Sequence, residues 1–206
     1  SKKLTANGFT KTGNSFTGWN TKANASGTAY TNKQSVKNLS TTNGATVTLF
    51  AQWTPYVLKV YYNANGGTPS SVVINSKTCY NKVVSSSNQN LIHSETKSET
   101  NPYYQTFKYN TAKDLVNASS FGLSRTGYTF DGWNTNASGT GTTYDQTTEY
   151  LPTKLASNLT TGDRTLTLYA KWKPVTYTVS YNANGGSGAP GNQTKTYGVD
   201  LTLSST

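Results

Sequence analysis

Tyr62-Asn63-Ala64-Asn65-Gly66-Gly67 returns unchanged as Tyr181-Asn182-Ala183-Asn184-Gly185-Gly186, 119 residues further on. Asparagine and glycine in succession supply the positive φ that a tight hairpin turn requires, which marks Gly66, Gly67, Gly185 and Gly186 as turn residues. The residues leading into the second copy, Tyr177-Thr178-Val179-Ser180-Tyr181, alternate as a half-buried strand does. A strand and turn used twice at a fixed spacing makes repetition the first feature to resolve.

The same offset relates two aromatic tails upstream. Thr48-Leu49-Phe50-Ala51-Gln52-Trp53 matches Thr167-Leu168-Tyr169-Ala170-Lys171-Trp172, and Pro55 or Pro174 follows each. A third block keeps a different offset, 114: Lys11-Thr12-Gly13-Asn14-Ser15-Phe16-Thr17-Gly18-Trp19-Asn20-Thr21 against Arg125-Thr126-Gly127-Tyr128-Thr129-Phe130-Asp131-Gly132-Trp133-Asn134-Thr135, running on to Tyr30 and Tyr144. The difference of five residues is a length change between Tyr144 and Trp172. The chain therefore reads as the C-terminal half of a repeat at 1–53, a complete repeat at 54–172, and the N-terminal half of a following repeat at 173–206.

Each piece reads mostly as strand. Thr194 to Leu203 is an alternating run, Gly127 to Trp133 a short aromatic strand, and Thr165 to Trp172 a closing strand with Leu166, Leu168 and Ala170 on one face. Leu151 to Asn158, with Pro152 in its first turn, is the candidate for a short helix. The matched aromatic and aliphatic positions Trp19, Trp53, Tyr128, Phe130, Trp133, Leu166, Leu168 and Trp172 are the expected core. The complete repeat is long: 42 positions separate Gly67 from Tyr109, against 11 between Gly186 and Tyr197. The excess, an inserted segment at about 68–106, contains Cys79, His93, Glu95 and Glu99 and is expected to form a protruding loop or an extra hairpin outside the core.

Composition agrees with a mainly β chain with little helix. Hydrophobic residues are 33% and charged residues 13%, too few charges for the exposed face of a helical bundle. Fifteen Tyr, six Phe and four Trp are enough to build a core, which argues against charge-driven disorder. The formal charge of +10 attracts polyanions, but the basic residues are dispersed, with no run longer than Lys2-Lys3, so no specific nucleic-acid partner is expected. One cysteine forms no disulfide within the chain, and no apolar run is long enough for a transmembrane segment. The absence of methionine, even at position 1, is what a piece of a longer protein would show.

No site chemistry emerges. One His, one Cys and eight scattered carboxylates make neither a zinc spacing nor a calcium loop, so no metal site and no cofactor is expected. Cys79 and His93 read more simply as incidental residues of the insertion than as nucleophile and base. No pair of carboxylates is placed for acid–base work, and no Gly-Lys-Ser/Thr follows Gly66-Gly67 or Gly185-Gly186, which excludes a phosphate loop. Six Asn-x-Ser/Thr triplets, at Asn24, Asn38, Asn117, Asn136, Asn158 and Asn192, are expected by chance in so Asn-rich a chain. No catalytic residue is assigned.

Four motifs in order, Tyr177 to Gly186, Thr194 to Leu203, Arg125 to Trp133 and Leu166 to Trp172, resemble the Listeria–Bacteroides repeat, also called the internalin B-repeat family. Asn14, where an aromatic is usual, and Phe50, where Tyr is usual, are the departures. The resemblance implies tandem β-grasp-like (ubiquitin-like) modules in secreted and wall-attached proteins of Gram-positive bacteria, acting as spacers, stalks or adhesion modules without catalysis. It makes an extracellular surface segment the leading expectation, with neighbouring repeats or further copies joined head to tail, filament fashion, as partners, and cell-wall polymer, glycan or a host surface protein as further candidates. Two alternatives stand beside it: a binding domain for anionic glycans or cell-wall polymers, and an accessory segment of a secreted enzyme.

Overall fold

The strands that the repeat predicts are present, and the chain is mainly β with two short helical stretches after Leu151 and one 3-10 turn at Ala118–Phe121. The structure, a computed structural model, describes residues 1–68, 72–74, 77–83, 91–94 and 104–204. For the strands between 72 and 94, and for Ser120 and Phe121, it describes the backbone only. Two compact units are formed: Ser1–Lys59 with Thr106–Lys113 and Glu149–Leu166, and Val60–Gln105 with Asp114–Thr148 and Thr167–Thr206. The repeat boundary at 53/54 falls inside the first unit and that at 172/173 inside the second.

In the first unit, Asn14–Asn20 is the centre of a three-stranded sheet, flanked by Ala29–Tyr30 and Phe50–Pro55. Its register pairs Phe16 with Trp53 and Trp19 with Ala51, and shifts by a bulge between Phe16 and Gly18. Lys2–Lys3 pairs separately with Ser35–Val36. The second unit repeats the pattern. Tyr128–Asn134 lies between Thr143–Tyr144 and Arg164–Pro174, with Phe130 opposite Trp172 and Trp133 opposite Ala170, and the register shifts between Phe130 and Trp133. Thr176–Val179 forms a hairpin with Gln193–Thr196. The insertion contains a three-stranded sheet, Val72–Ile74, Lys77–Val83 and Leu91–Ser94. The side chains of Cys79 and His93, and all of Glu95 and Glu99, lie outside the described residues.

Three element boundaries differ from expectation. The strand at Tyr177–Tyr181 ends at Val179, while its counterpart in the complete repeat runs through Val57–Asn63. The run Thr194–Leu203 is a strand only over Gln193–Thr196, because Gly198 at φ +74° turns the chain. Residues Leu151–Asn158 divide into a helix at Pro152–Leu155 and a 3-10 turn at Ser157–Thr161, separated by extended Ala156. So short a helix has little stability of its own. The burial of Pro152, Leu155 and Leu159 decides its course.

The repeated turn is realised as the sequence requires. Asn65 and Gly66 have φ of +47° and +84°, Asn184 and Gly185 +45° and +93°, and in each the N–H of the last glycine donates to the alanine carbonyl, Gly67 to Ala64 and Gly186 to Ala183. Positive φ at both central residues is the type I′ pattern. The second glycine of each pair is not at positive φ. At Gly67 the need is for space instead, since a Cβ there would run into the Trp172 ring.

Candidate functional site: the closed core and the joints

Trp133 is fully buried, as are Tyr62, Val60, Leu168 and Ala170. Tyr62 lies 4.6 Å from the Trp133 ring, and the indole N–H of Trp133 donates to the Val116 carbonyl at 2.8 Å. The Tyr62 hydroxyl donates to Gln105 Oε1, and the Val116 N–H reaches both oxygens. Phe130 meets Trp133 and Trp172 edge-on at 5.1 and 5.8 Å, and the Trp172 indole donates to the Ala64 carbonyl at 3.1 Å. Of the expected core residues, Trp133 and Leu168 are buried, and Trp19, Trp53, Tyr128, Phe130, Leu166 and Trp172 are half-buried.

The half-repeats reproduce this geometry in pieces. Phe16 meets Trp19 at 5.1 Å and Trp53 at 5.6 Å, again edge-on. The Tyr181 hydroxyl donates to Gln193 Oε1, and the Ser204 N–H reaches both, as Val116 does in the complete repeat. An open groove of about 550 Å³ is bordered by Phe9, Phe16 and Trp53 together with Tyr56, Thr160 and Thr161.

Two kinds of residue outside the expected core are structural nodes. Asn20 and Asn134 are buried, and each organises the loop that follows. Asn134 Oδ1 accepts from the N–H groups of Asn136 and Gly141, and its Nδ2 donates to Thr143 Oγ1 and the carbonyls of Gly139 and Gly141. Asn20 does the same with Lys22, Ala25 and Gly27. The signal was present in the matched Gly-Trp-Asn-Thr block.

The second class forms the joint between repeats. The Tyr56 N–H donates to the Gly13 carbonyl at 2.8 Å, and the Tyr56 carbonyl accepts from the Tyr109 N–H at 2.9 Å. The other joint has the same bonds: Val175 N–H to the Gly127 carbonyl, and Tyr197 N–H to the Val175 carbonyl, both 2.9 Å. One backbone residue thus bonds to both Gly13 and Tyr109, and its counterpart to both Gly127 and Tyr197. Gly13 and Gly127, at φ +71° and +78°, each lie so close under a tyrosine ring, Tyr109 or Tyr197, that a Cβ would penetrate it. Gly13 N–H also donates to the Thr160 carbonyl, in the helical segment that the first half-repeat lacks. At the second joint Arg125 covers Tyr128 at 4.1 Å and Tyr128 meets Tyr197 edge-on. Asn14 replaces that aromatic at the first.

Burial holds the Tyr144 phenol above its usual range, so it remains neutral. Among the described residues, no three of His, Cys, Asp and Glu stand together as a metal site would need, and no helix is long and apolar enough to cross a membrane.

Duplicated strand blocks, a repeated hairpin turn and equivalent joints define a tandem-repeat β protein. The family model of the Listeria-Bacteroides repeat domain matches residues 2–52, 90–171 and 177–206, and the chain belongs to that family. A protein of Evansella cellulosilytica named “Putative Gly-rich membrane protein” is 27% identical over 179 residues, 87% of this chain. The match spans 16% of that relative's length. No solved structure matches the chain.

Proposed function

We propose that the chain is a non-catalytic spacer in an extracellular bacterial surface protein, a run of β-grasp-like repeats that extends other parts of the protein from the cell. The recurrence of the joint carries this reading. A flexible linker leaves its backbone groups to water and its ends free. Here Tyr56 and Val175 each spend both backbone groups on the two repeats they connect. Membership of the repeat family and the membrane-protein name of the Evansella relative support a surface location.

The test is a distance distribution across one joint. Spin labels at the exposed positions Ser138 and Ser187 should give one narrow distribution. Gly127→Val, which forces a side chain into the Tyr197 ring, should broaden it. A broad distribution in the unaltered chain would defeat the spacer reading. A second reading, binding of anionic glycans or wall polymers, rests on the charge of +10. It requires binding that weakens steeply as salt is added.

A further inference from the structure

The complete repeat begins and ends on strands that lie side by side. Its sheet has the order Tyr104–Lys108, Val57–Asn63, Arg164–Pro174, Tyr128–Asn134, Thr143–Tyr144, so the first strand of the repeat and its last are inner neighbours. Contacts at both ends fix their direction. At one end the Val57 N–H donates to Asp163 Oδ1 at 2.8 Å. At the other, Asn65 Nδ2 donates to the Ala170 carbonyl at 2.9 Å and Trp172 Nε1 to the Ala64 carbonyl at 3.1 Å. Residue numbers rise together along the two strands, so the pair is parallel. The chain therefore enters the pair at one end, by Val57, and leaves it at the opposite end, by Pro174. Leu58, Val60 and Tyr62 of the first strand and Leu168 and Ala170 of the last are buried, which anchors both strands in the core. Only Tyr56 separates Val57 from the strand Phe50–Pro55, and only Val175 separates Pro174 from the strand Thr176–Val179.

We infer that the complete repeat is a tension-resisting element, which holds its fold when force is applied along the chain. This goes beyond the spacer reading, which requires only a fixed length, and it stands on the strand pair rather than on the joints. Tension draws Val57 one way and Pro174 the other. On a parallel pair loaded at opposite ends, that force runs along the strands and drives them to slide past each other. The ladder bonds between them are then strained together, because those of a parallel pair are evenly spaced along it. One such bond adds little stability by itself, but here the set has to yield at once. Sliding also drags Leu58, Val60 and Tyr62 past their neighbours in a close-packed core. Parting the same strands from one end would instead break the bonds in turn. The single-residue connections at Tyr56 and Val175 leave no slack to absorb the pull.

The direction of loading is the selective probe, tested by single-molecule force spectroscopy of the 206-residue chain. Handles are attached to introduced cysteines, with Cys79→Ser to remove the native thiol. Thr54→Cys with Lys173→Cys loads the strand pair at opposite ends, and Thr54→Cys with Thr165→Cys loads it at the same end. All three positions are exposed, so the core is the same in both. Loaded at opposite ends, the repeat should open in one step. The gain in length should be about 400 Å, from the 119 positions between Thr54 and Lys173 at about 3.5 Å each. At equal loading rate its opening force should be about twofold or more above that of the same-end pair, because the bonds yield together rather than in turn. Asn65→Gly removes the side-chain bond to the Ala170 carbonyl, and glycine accepts the φ of +47° there. It should lower the opposite-end force and leave the same-end force unchanged, since parting from Val57 is under way before it reaches residue 65. An opposite-end force no higher than the same-end force, an opposite-end trace without a resolved step, or an Asn65→Gly variant that lowers both forces alike would each overturn the inference. A weak repeat with a narrow spin-label distribution at the joint would leave the spacer reading standing. A strong repeat with a broad distribution would remove the spacer reading alone.

Discussion

Trp133 and Trp19 occupy the same motif position in a closed and an open repeat, and truncating each to alanine should have very different costs. Trp133 is fully buried, contacts Tyr62 at 4.6 Å and Phe130 at 5.1 Å, and supplies the donor for the Val116 carbonyl. Removing a large buried aromatic costs about 3–5 kcal/mol. Stranding the carbonyl adds on the order of 1 kcal/mol. Trp19 is half-buried, touches Phe16 at 5.1 Å and Phe9 at 6.0 Å, and its nitrogen has no partner to lose. Half of a full transfer term is about 1–1.5 kcal/mol, and edge-on ring contact adds about 0.5–1 kcal/mol. The expected total is about 2 kcal/mol, against about 4–6 kcal/mol for Trp133 by summing its two terms. Native-state hydrogen exchange on dilute protein reads each strand separately. Trp133→Ala should strip protection from Tyr128–Asn134 or unfold that repeat outright, and Trp19→Ala should lower protection of Asn14–Asn20 by the smaller amount. Equal losses in the two strands would refute the account of which repeat is closed.

Tyr62→Phe removes a hydroxyl that serves Gln105 and Val116 in the core, and should cost about 1–3 kcal/mol in urea denaturation. Tyr181→Phe deletes the same group in a half-open site and should cost about 0.5–1 kcal/mol by the same measure. Asn134→Ala leaves several loop groups without partners and should destabilise by about 2–4 kcal/mol, with the amides of Asn136 and Gly141 losing exchange protection first. Asp131→Ala breaks an exposed ion pair with Lys171 and should change the melting behaviour by less than about 1 kcal/mol. Deleting residues 72–103 and closing the gap with a short turn should leave the Trp133 fluorescence and the near-ultraviolet circular dichroism of a packed core. Loss of both would make the insertion structural.

The repeat offsets, the turn residues and the aromatic blocks were legible in the sequence because they depend on short-range chemistry. Asn-Gly between two strands favours a type I′ turn, and strand periodicity selects the face that is buried. Thus Asn65–Gly66 and Asn184–Gly185 turn alike although their surroundings differ. What the sequence left undecided depends on neighbours distant along the chain. Trp19 and Trp133 lie in nearly identical motifs, and Trp133 is sealed by Tyr62 and Val116, which are distant along the chain. The joints follow suit. Gly13 and Gly127 are visible in the sequence only as matched positions of the repeated block. Only the tertiary structure brings Tyr109 and Tyr197 onto them, across about seventy to ninety-six intervening positions. That close approach, rather than any local preference, is why those positions have no room for a side chain.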